Sequence, residues 1–282
     1  MKSILLSALL ALVSAPAWAS AASLAIPAAE AERIGKLLWR NECGGTVEGL
    51  TSWNPGEHFA SLGIGHFIWY PAGADQPFEE SFPALLAFIR TRGTPVPGWL
   101  QETAHCPWPT RAAFLADNKS ERMVSLRTFL KNTVGLQALF AAQRLESALP
   151  KMTAGLPSAQ QQHVRTQFER MTTHPHGIYC LVDYVNFKGE GVRPTERHQN
   201  QGWGLLQVLN GMSGTAPGAE ALREFSSSAT EVLRQRVRLS PPERGEQRWL
   251  AGWENRCRTY LPPPITRAGF SNQGFKAVQS PD

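Results

Sequence analysis

The sequence predicts a mainly α (α+β) fold, a helical domain with one or two small β-hairpins lining a cleft. Three observations carry that expectation. Apolar residues recur at spacings of three and four over 28–41, 120–133, 136–149, 157–170, 177–188, 219–239 and 243–260, the period of helices with one buried face. A stretch rich in Gly and aromatic residues, 46–69, reads as turns leading into a short strand or hairpin. Prolines punctuate 71–83 and 93–109, which read as loops.

Taken in order, the chain begins with Lys2, an apolar run over 4–13 and the small-x-small triplet Ala17-Trp18-Ala19. That is the layout of a removable signal peptide, 1–19, and the run is too short to span a bilayer. The expected location is therefore periplasmic or secreted. The first helix starts behind Pro27, carries Ile34, Leu37 and Leu38 on one face, and stops at Gly44-Gly45. The middle helices are separated at Gly135 and at Gly155-Leu156-Pro157. A helix over 177–188 presents Ile178, Leu181, Val182 and Val185 together, and a polar loop leads from it to a Gly-rich strand at 201–209. Two further helices close a domain spanning 20–265, in one or two lobes, and 266–282 reads as a flexible tail.

Composition narrows the function classes. Lys and Arg number 28 against 23 Asp and Glu, a net charge of +5, with the basic residues scattered. A dedicated nucleic-acid binder would line them on a face or helix, so that class is set aside. A mild positive balance suits an anionic polymer such as a bacterial wall or an acidic glycan. No later segment is apolar for long enough to insert stably in a membrane. Cys43, Cys106, Cys180 and Cys257 form an even, widely spaced set with no C-x-x-C pair, which in an exported protein favours two disulfides over zinc. Three pairings are open. His58, His105, His174 and His176 have no metal-ligand spacing, so neither a metal nor a cofactor is expected. The oligomeric state is not written in these features.

The stretch that carries chemistry is Asn41-Glu42-Cys43-Gly44-Gly45, continuing through Trp53-Asn54-Pro55-Gly56-Glu57 to Ser61-Leu62-Gly63-Ile64-Gly65-His66. Glu42 falls at a helix C-terminus, where the dipole disfavours a second negative charge. Apolar neighbours such as Leu38 and Trp39, with Phe67 and Trp69 beyond, are expected to desolvate it. Both influences favour the protonated carboxyl that a general acid needs.

This arrangement resembles the lysozyme-like superfamily, in particular the phage-type muramidases, over residues 33–66. The resemblance implies a lysozyme-like helical domain with Glu42 as proton donor, a hairpin bearing Gly63-Ile64-Gly65-His66 as the opposite wall, and Ser61 as the hydroxyl that positions water. The family's Asp between the Glu and the Gly-rich strand is missing here. Glu57 stands at a similar distance before Ser61 and is the candidate second carboxylate, with Glu48 behind it; a solvated turn residue is the alternative for Glu57.

A rival site repeats the grammar. A helix runs into Gly189-Glu190-Gly191, and Gln201-Gly202-Trp203-Gly204-Leu205-Leu206-Gln207-Val208 follows. That string resembles the strand of goose-type lysozymes and lytic transglycosylases, which implies Glu190 as the acid. Gly replaces the usual Ser after the Glu, and the loop is shorter than in goose-type enzymes. Glu42 ranks first, Glu190 second, and a cleft shared by both third. Gln201 and Gln207 are expected either to bond sugars or to serve as strand polars. Trp53, Trp69 and Trp203 either stack on sugar faces or belong to the core, whereas Trp249 and Trp253 repeat at helical spacing and read as core. His66 is expected to bind at the cleft wall or to bond across the hairpin.

The reading is an exported glycosidase that cleaves β-linked amino-sugar polymers, peptidoglycan foremost. Its alternatives are a lytic transglycosylase with a single Glu and a catalytically silent glycan-binding protein. A thiol hydrolase using Cys43 and His66 is a further class, which a disulfide at Cys43 would exclude.

Overall fold

The computed structural model describes residues 24–262. The expected signal peptide and the expected tail lie outside them. Among the described residues the fold is mainly helical with two small antiparallel sheets.

Helix α1 (Ala28–Cys43) buries Ile34 and Leu38, and it ends at Gly44, whose left-handed φ of 61° turns the chain out of the helix. Strands β1 (Thr51–Ser52), β2 (Ala60–Leu62) and β3 (Phe67–Trp69) follow as an antiparallel sheet in that order. Ser52 faces Ser61 across β1 and β2, and Ser61 faces Ile68 across β2 and β3. Gly63-Ile64-Gly65-His66 forms the turn between β2 and β3 rather than a strand.

Helix α2 (Phe82–Thr91) occupies a segment whose start reads as loop in the sequence. Pro83 sits in its first turn, where the missing N–H has no helical partner to lose. Short helices α3 (Gly98–Gln101) and α4 (Arg111–Ala116) interrupt an otherwise loop-like region. Then come α5 (Glu121–Asn132), capped by Ser120, α6 (Val134–Thr153) and α7 (Ser158–Thr172). Helix α8 (Pro175–Lys188) is capped by the His174 ring and has nine of its first ten residues buried, from His176 to Tyr184.

The expected strand over 201–209 is not one. Only β4 (Arg197–His198) and β5 (Gln201–Gly202) pair, and the apolar remainder is helix α9 (Leu205–Asn210). The misreading has a physical origin, because a short apolar run between glycines fits a buried strand and a buried helix equally well. Helix α10 (Ala219–Leu239) matches the predicted span. The last predicted helix begins later, as α11 (Gln247–Arg258).

One core runs from Leu62 and Trp69 of the sheet through α5, α6, α7 and α8 to Phe225 and Leu233 of α10. Cys43, Cys106, Cys180 and Cys257 are all buried free thiols, so the two expected disulfides are not formed. Each is an apolar filler of this core, and burial pushes the thiols of Cys43 and Cys106 up to about 12. A thiolate at Cys43 is disfavoured accordingly, which removes the physical basis of a Cys43–His66 hydrolase. No helix of the described residues is long and apolar enough to cross a membrane.

Candidate active-site cleft

A cleft of about 590 Å³ opens between the β2–β3 turn and the helices α6 and α8. Its walls bring together Gly65 and His66 from the turn, Arg144 and Lys151 from α6, Asn186 from the end of α8, and Glu190 from the loop after it. Two sequence segments more than a hundred residues apart thus share one space, and both were singled out for a Glu beside glycines.

The turn is over-determined. Gly63 has φ 69°, and a Cβ there would lie 2.3 Å from Gln137 Oε1. That oxygen accepts the Ile64 amide at 2.9 Å, while Gln137 Nε2 donates to Leu130 O and Thr133 Oγ1. Gln137 is fully buried on α6 and spends its amide on bracing the turn. His66 takes a left-handed φ of 48° and projects into the cleft.

The Glu190 loop is braced as firmly from the other side. The first amides of α9, on Leu205 and Leu206, donate to the carbonyls of Gly189 and Glu190 at 3.0 Å each. Gly191 and Gly204 touch backbone to backbone, and a Cβ on Gly204 would lie 2.0 Å from the Gly191 nitrogen. Gln207 accepts from the Gly204 amide and donates to Gly191 O, and Glu196 accepts the Gly191 amide at 2.7 Å. The motif 201–208 is therefore the clamp of the Glu190 loop. Gln207 is a cap, not a sugar contact, and Gln201 is exposed on β5 away from the cleft walls.

Glu190 itself makes no hydrogen bond or ion pair through its carboxyl among the described residues. Its carboxyl lies above the ordinary range, pushed there first by burial and then by the neighbouring Glu196, with Arg193, Lys151 and Arg144 opposing. It is a half-buried, unpaired acid in a cleft.

Glu42 is placed differently. It ends α1 as expected and Oε2 lies 3.8 Å from His66 Nδ1, but it is not a wall of the cleft. The apolar surroundings foreseen for it are replaced by a cation: Arg256 of α11 donates directly to its carboxylate. Arg256 is gripped at the same time by Asp183 of α8, through bonds of 2.8 and 2.9 Å, and its guanidinium lies 4.2 Å over the Phe187 ring. Burial works against the charge on Arg256, yet Asp183 and Glu42 outweigh it and hold the guanidinium firmly protonated. Asp183, wholly buried, also accepts from Tyr260 at 2.6 Å and from Asn41 at 3.0 Å.

The remaining expected residues fall elsewhere. Glu57 and Trp53 line a second cavity of about 410 Å³ with His58, Asp75 and Arg111. Glu57 shares no wall with Glu190. Ser61 is buried in β2, with its carbonyl accepting the Ser52 hydroxyl. Trp69 is fully buried against Phe82, and Trp203 is held between the His198 ring, 4.6 Å away, and the Arg236 guanidinium, 4.0 Å away. Those two rings are core, without a free face for a sugar. Sequence reasoning missed Arg256, Asp183, Arg144 and Lys151. Only Asp183 carried a signal, as a lone acid on the apolar face of α8 that requires a buried partner.

Among the described residues no group of three or more His, Cys, Asp or Glu is arranged to hold a metal ion. No family model matches the chain, and no curated protein and no solved structure shows significant similarity to it.

Proposed function

We propose that the protein is a glycosidase acting on β-linked amino-sugar polymers, peptidoglycan foremost, with Glu190 as the general acid of the 590 Å³ cleft. The observation that carries this reading is the state of Glu190: an unpaired carboxyl, raised by burial, on a clamped loop at the wall of the cleft. A proton donor to a glycosidic oxygen must stay protonated near the working pH and must be held where the oxygen arrives. Glu42, paired with Arg256, takes the complementary role of an ion-paired carboxylate beside the His66 wall. Two carboxyl groups in opposite settings are the usual division of labour in glycoside cleavage. Lys151, Arg144 and Arg193 around Glu190 suit a polymer that carries carboxylates of its own. The resemblance over residues 33–66 supports the same substrate class, and an export signal at 1–19 would deliver the chain to it.

A second reading keeps Glu42 as the acid, on the resemblance over residues 33–66 and on its place 3.8 Å from His66. Asn41 and Glu42, consecutive residues of α1, are both tied to the Asp183–Arg256 unit, an arrangement that orients Glu42 beyond what helix packing requires. A silent glycan-binding protein is the third outcome.

The test is release of soluble fragments from purified walls, with mass spectrometry of their ends. Fragments with reducing ends support a hydrolase, and anhydro ends support a transglycosylase. Binding without fragments would establish the silent protein and end the enzymatic reading. Because Glu190 is raised above the ordinary 4.5, release should persist above the pH at which a free Glu ionises and fall as pH rises through the raised value.

A further inference from the structure

Asp183 stands out among the polar groups of the interior. It is wholly buried on α8, and each of its oxygens is committed. Oδ1 accepts from Arg256 at 2.9 Å and Asn41 at 3.0 Å, and Oδ2 accepts from Arg256 at 2.8 Å and Tyr260 at 2.6 Å. Replacing a buried ion pair with apolar side chains of similar volume is often neutral or stabilising, so stability alone gives a weak reason for this one. Its geometry supplies a better one. The guanidinium that Asp183 grips from below also bonds Glu42, and the Phe187 ring closes its face. Asn41 repeats the link one residue earlier, donating to both Asp183 and the Tyr179 hydroxyl, which is itself bonded to Thr259 next to Tyr260. Three helices distant in sequence, α1, α8 and α11, meet at this one carboxylate.

We propose that Asp183 is a positioning residue for the cleft: it aims Arg256 at the end of α1 and so fixes the Glu42 carboxylate beside His66. A guanidinium bonded on one edge to a fixed carboxylate has little freedom left, and its planar fork passes that constraint to the next acceptor. Glu42 is then held by geometry transmitted from α8, the helix that ends two residues before Glu190. Helix α8 thus anchors the partner of Glu42 through Asp183 and leads directly into the clamped loop that carries Glu190.

Only the activity arm of the test rests on the proposed glycosidase reading. The first arm measures carbodiimide-driven labelling of carboxyl groups, read residue by residue by mass spectrometry, in the folded wild type and in Asp183→Asn. We expect Glu42 to be nearly inert in the wild type and to label several-fold faster in the variant, with Glu224 and Glu246, bonded elsewhere, unchanged. Equal Glu42 labelling in the two folded proteins would overturn the proposal, whatever the protein's activity. Should Asp183→Asn fail to fold, Tyr260→Phe removes one bond to Asp183 and leaves the ion pair in place. It should raise Glu42 labelling by a smaller margin, and no change there would overturn the proposal as well. In the second arm, wall cleavage by Asp183→Asn should fall roughly 10- to 100-fold in kcat with KM little changed, as a misplaced reacting group predicts. A purely structural role would lower the melting temperature and leave the kcat of the folded fraction intact, which would also overturn the proposal. A wild type that cleaves no wall polymer would end the glycosidase reading while the labelling result still decides the role of Asp183.

Discussion

The ends of α1 and α8 look alike in sequence and differ in electrostatics. Both helices run into glycine with a Glu at the junction, and both Glu residues stand near the same cleft. At the end of α1 a guanidinium arrives from α11 and bonds Glu42. Just past the end of α8 no cation among the described residues bonds Glu190, and burial together with Glu196 pushes its carboxyl up. Glu42 lies in the last turn of its helix and meets a guanidinium brought by α11, whereas Glu190 lies just past its helix and meets burial and the nearby Glu196. A Glu beside a helix end is therefore a candidate for chemistry whose role depends on what it is paired with.

The largest effect we expect comes from removing the cation that separates the two ends. Arg256→Ala strands Asp183 without its ionic partner in the interior and leaves Glu42 unpaired. Breaking a buried pair by deleting one member costs about 3–5 kcal/mol, measurable by urea unfolding. A loss below about 1 kcal/mol would mean that the pair behaves like a surface ion pair and that the contrast between the helix ends is overstated.

A pH effect of intermediate size belongs to the other end. Lys188, the last residue of α8, is lowered to about 6, by burial first and by Arg236 and Arg256 next. The rings of Phe187 and Trp253 lie 3.9 and 3.5 Å from its nitrogen and favour the ammonium. A cation–π contact contributes about 0.5–2 kcal/mol against several for desolvating an ammonium, so burial should win. The sign then follows. Between about 6 and the ordinary 10.5 the unfolded chain holds a proton that the folded chain does not. Stability attributable to Lys188 is present above the unfolded value and is lost as pH falls through that window towards the folded one. Unfolding free energy should rise with pH across the window in the wild type, and Lys188→Met should flatten the slope. An unchanged slope in the variant would show that the ring contacts keep Lys188 charged.

The smallest effect concerns the second cavity. Glu57→Gln alters a residue that shares no wall with Glu190. Fragment release should change by less than about twofold, the scale of a surface substitution. A large loss would bring Glu57 into the chemistry and make the comparison of two helix ends a comparison of three carboxylates.

Much of the fold was legible because helical periodicity is local. Helix α10 is readable from its own residues, and α1 from the spacing of Ile34 and Leu38 and the stop at Gly44. What escaped was set by context. Pro83 looks like a loop residue until Ser81 and Phe82 place it in the first turn of α2. Leu205 to Leu209 read as strand because apolar residues between glycines carry no period of their own, and packing of α9 against the Glu190 loop decided it. In the site, the glycines of 63–65 and 189–191 were visible, since close backbone approach leaves a sequence trace. Arg256 was not, because it stands 214 residues from Glu42 and looks like any other arginine on a polar helix. The disulfide expectation failed for a related reason: an even set of cysteines says nothing about whether pairs of them bond, and these four are buried free thiols.

The central claim is that Glu190 delivers the proton and that Glu42, bonded to Arg256, does not. The most direct measurement is the rate of wall-fragment release by folded Glu190→Gln and Glu42→Gln, side by side with the wild type. Loss of a general acid typically costs about 10²–10⁴-fold, and we predict a loss of that size for Glu190→Gln and a smaller one for Glu42→Gln. Near-wild-type release by Glu190→Gln, with release abolished in Glu42→Gln, would contradict this assignment and make Glu42 the acid.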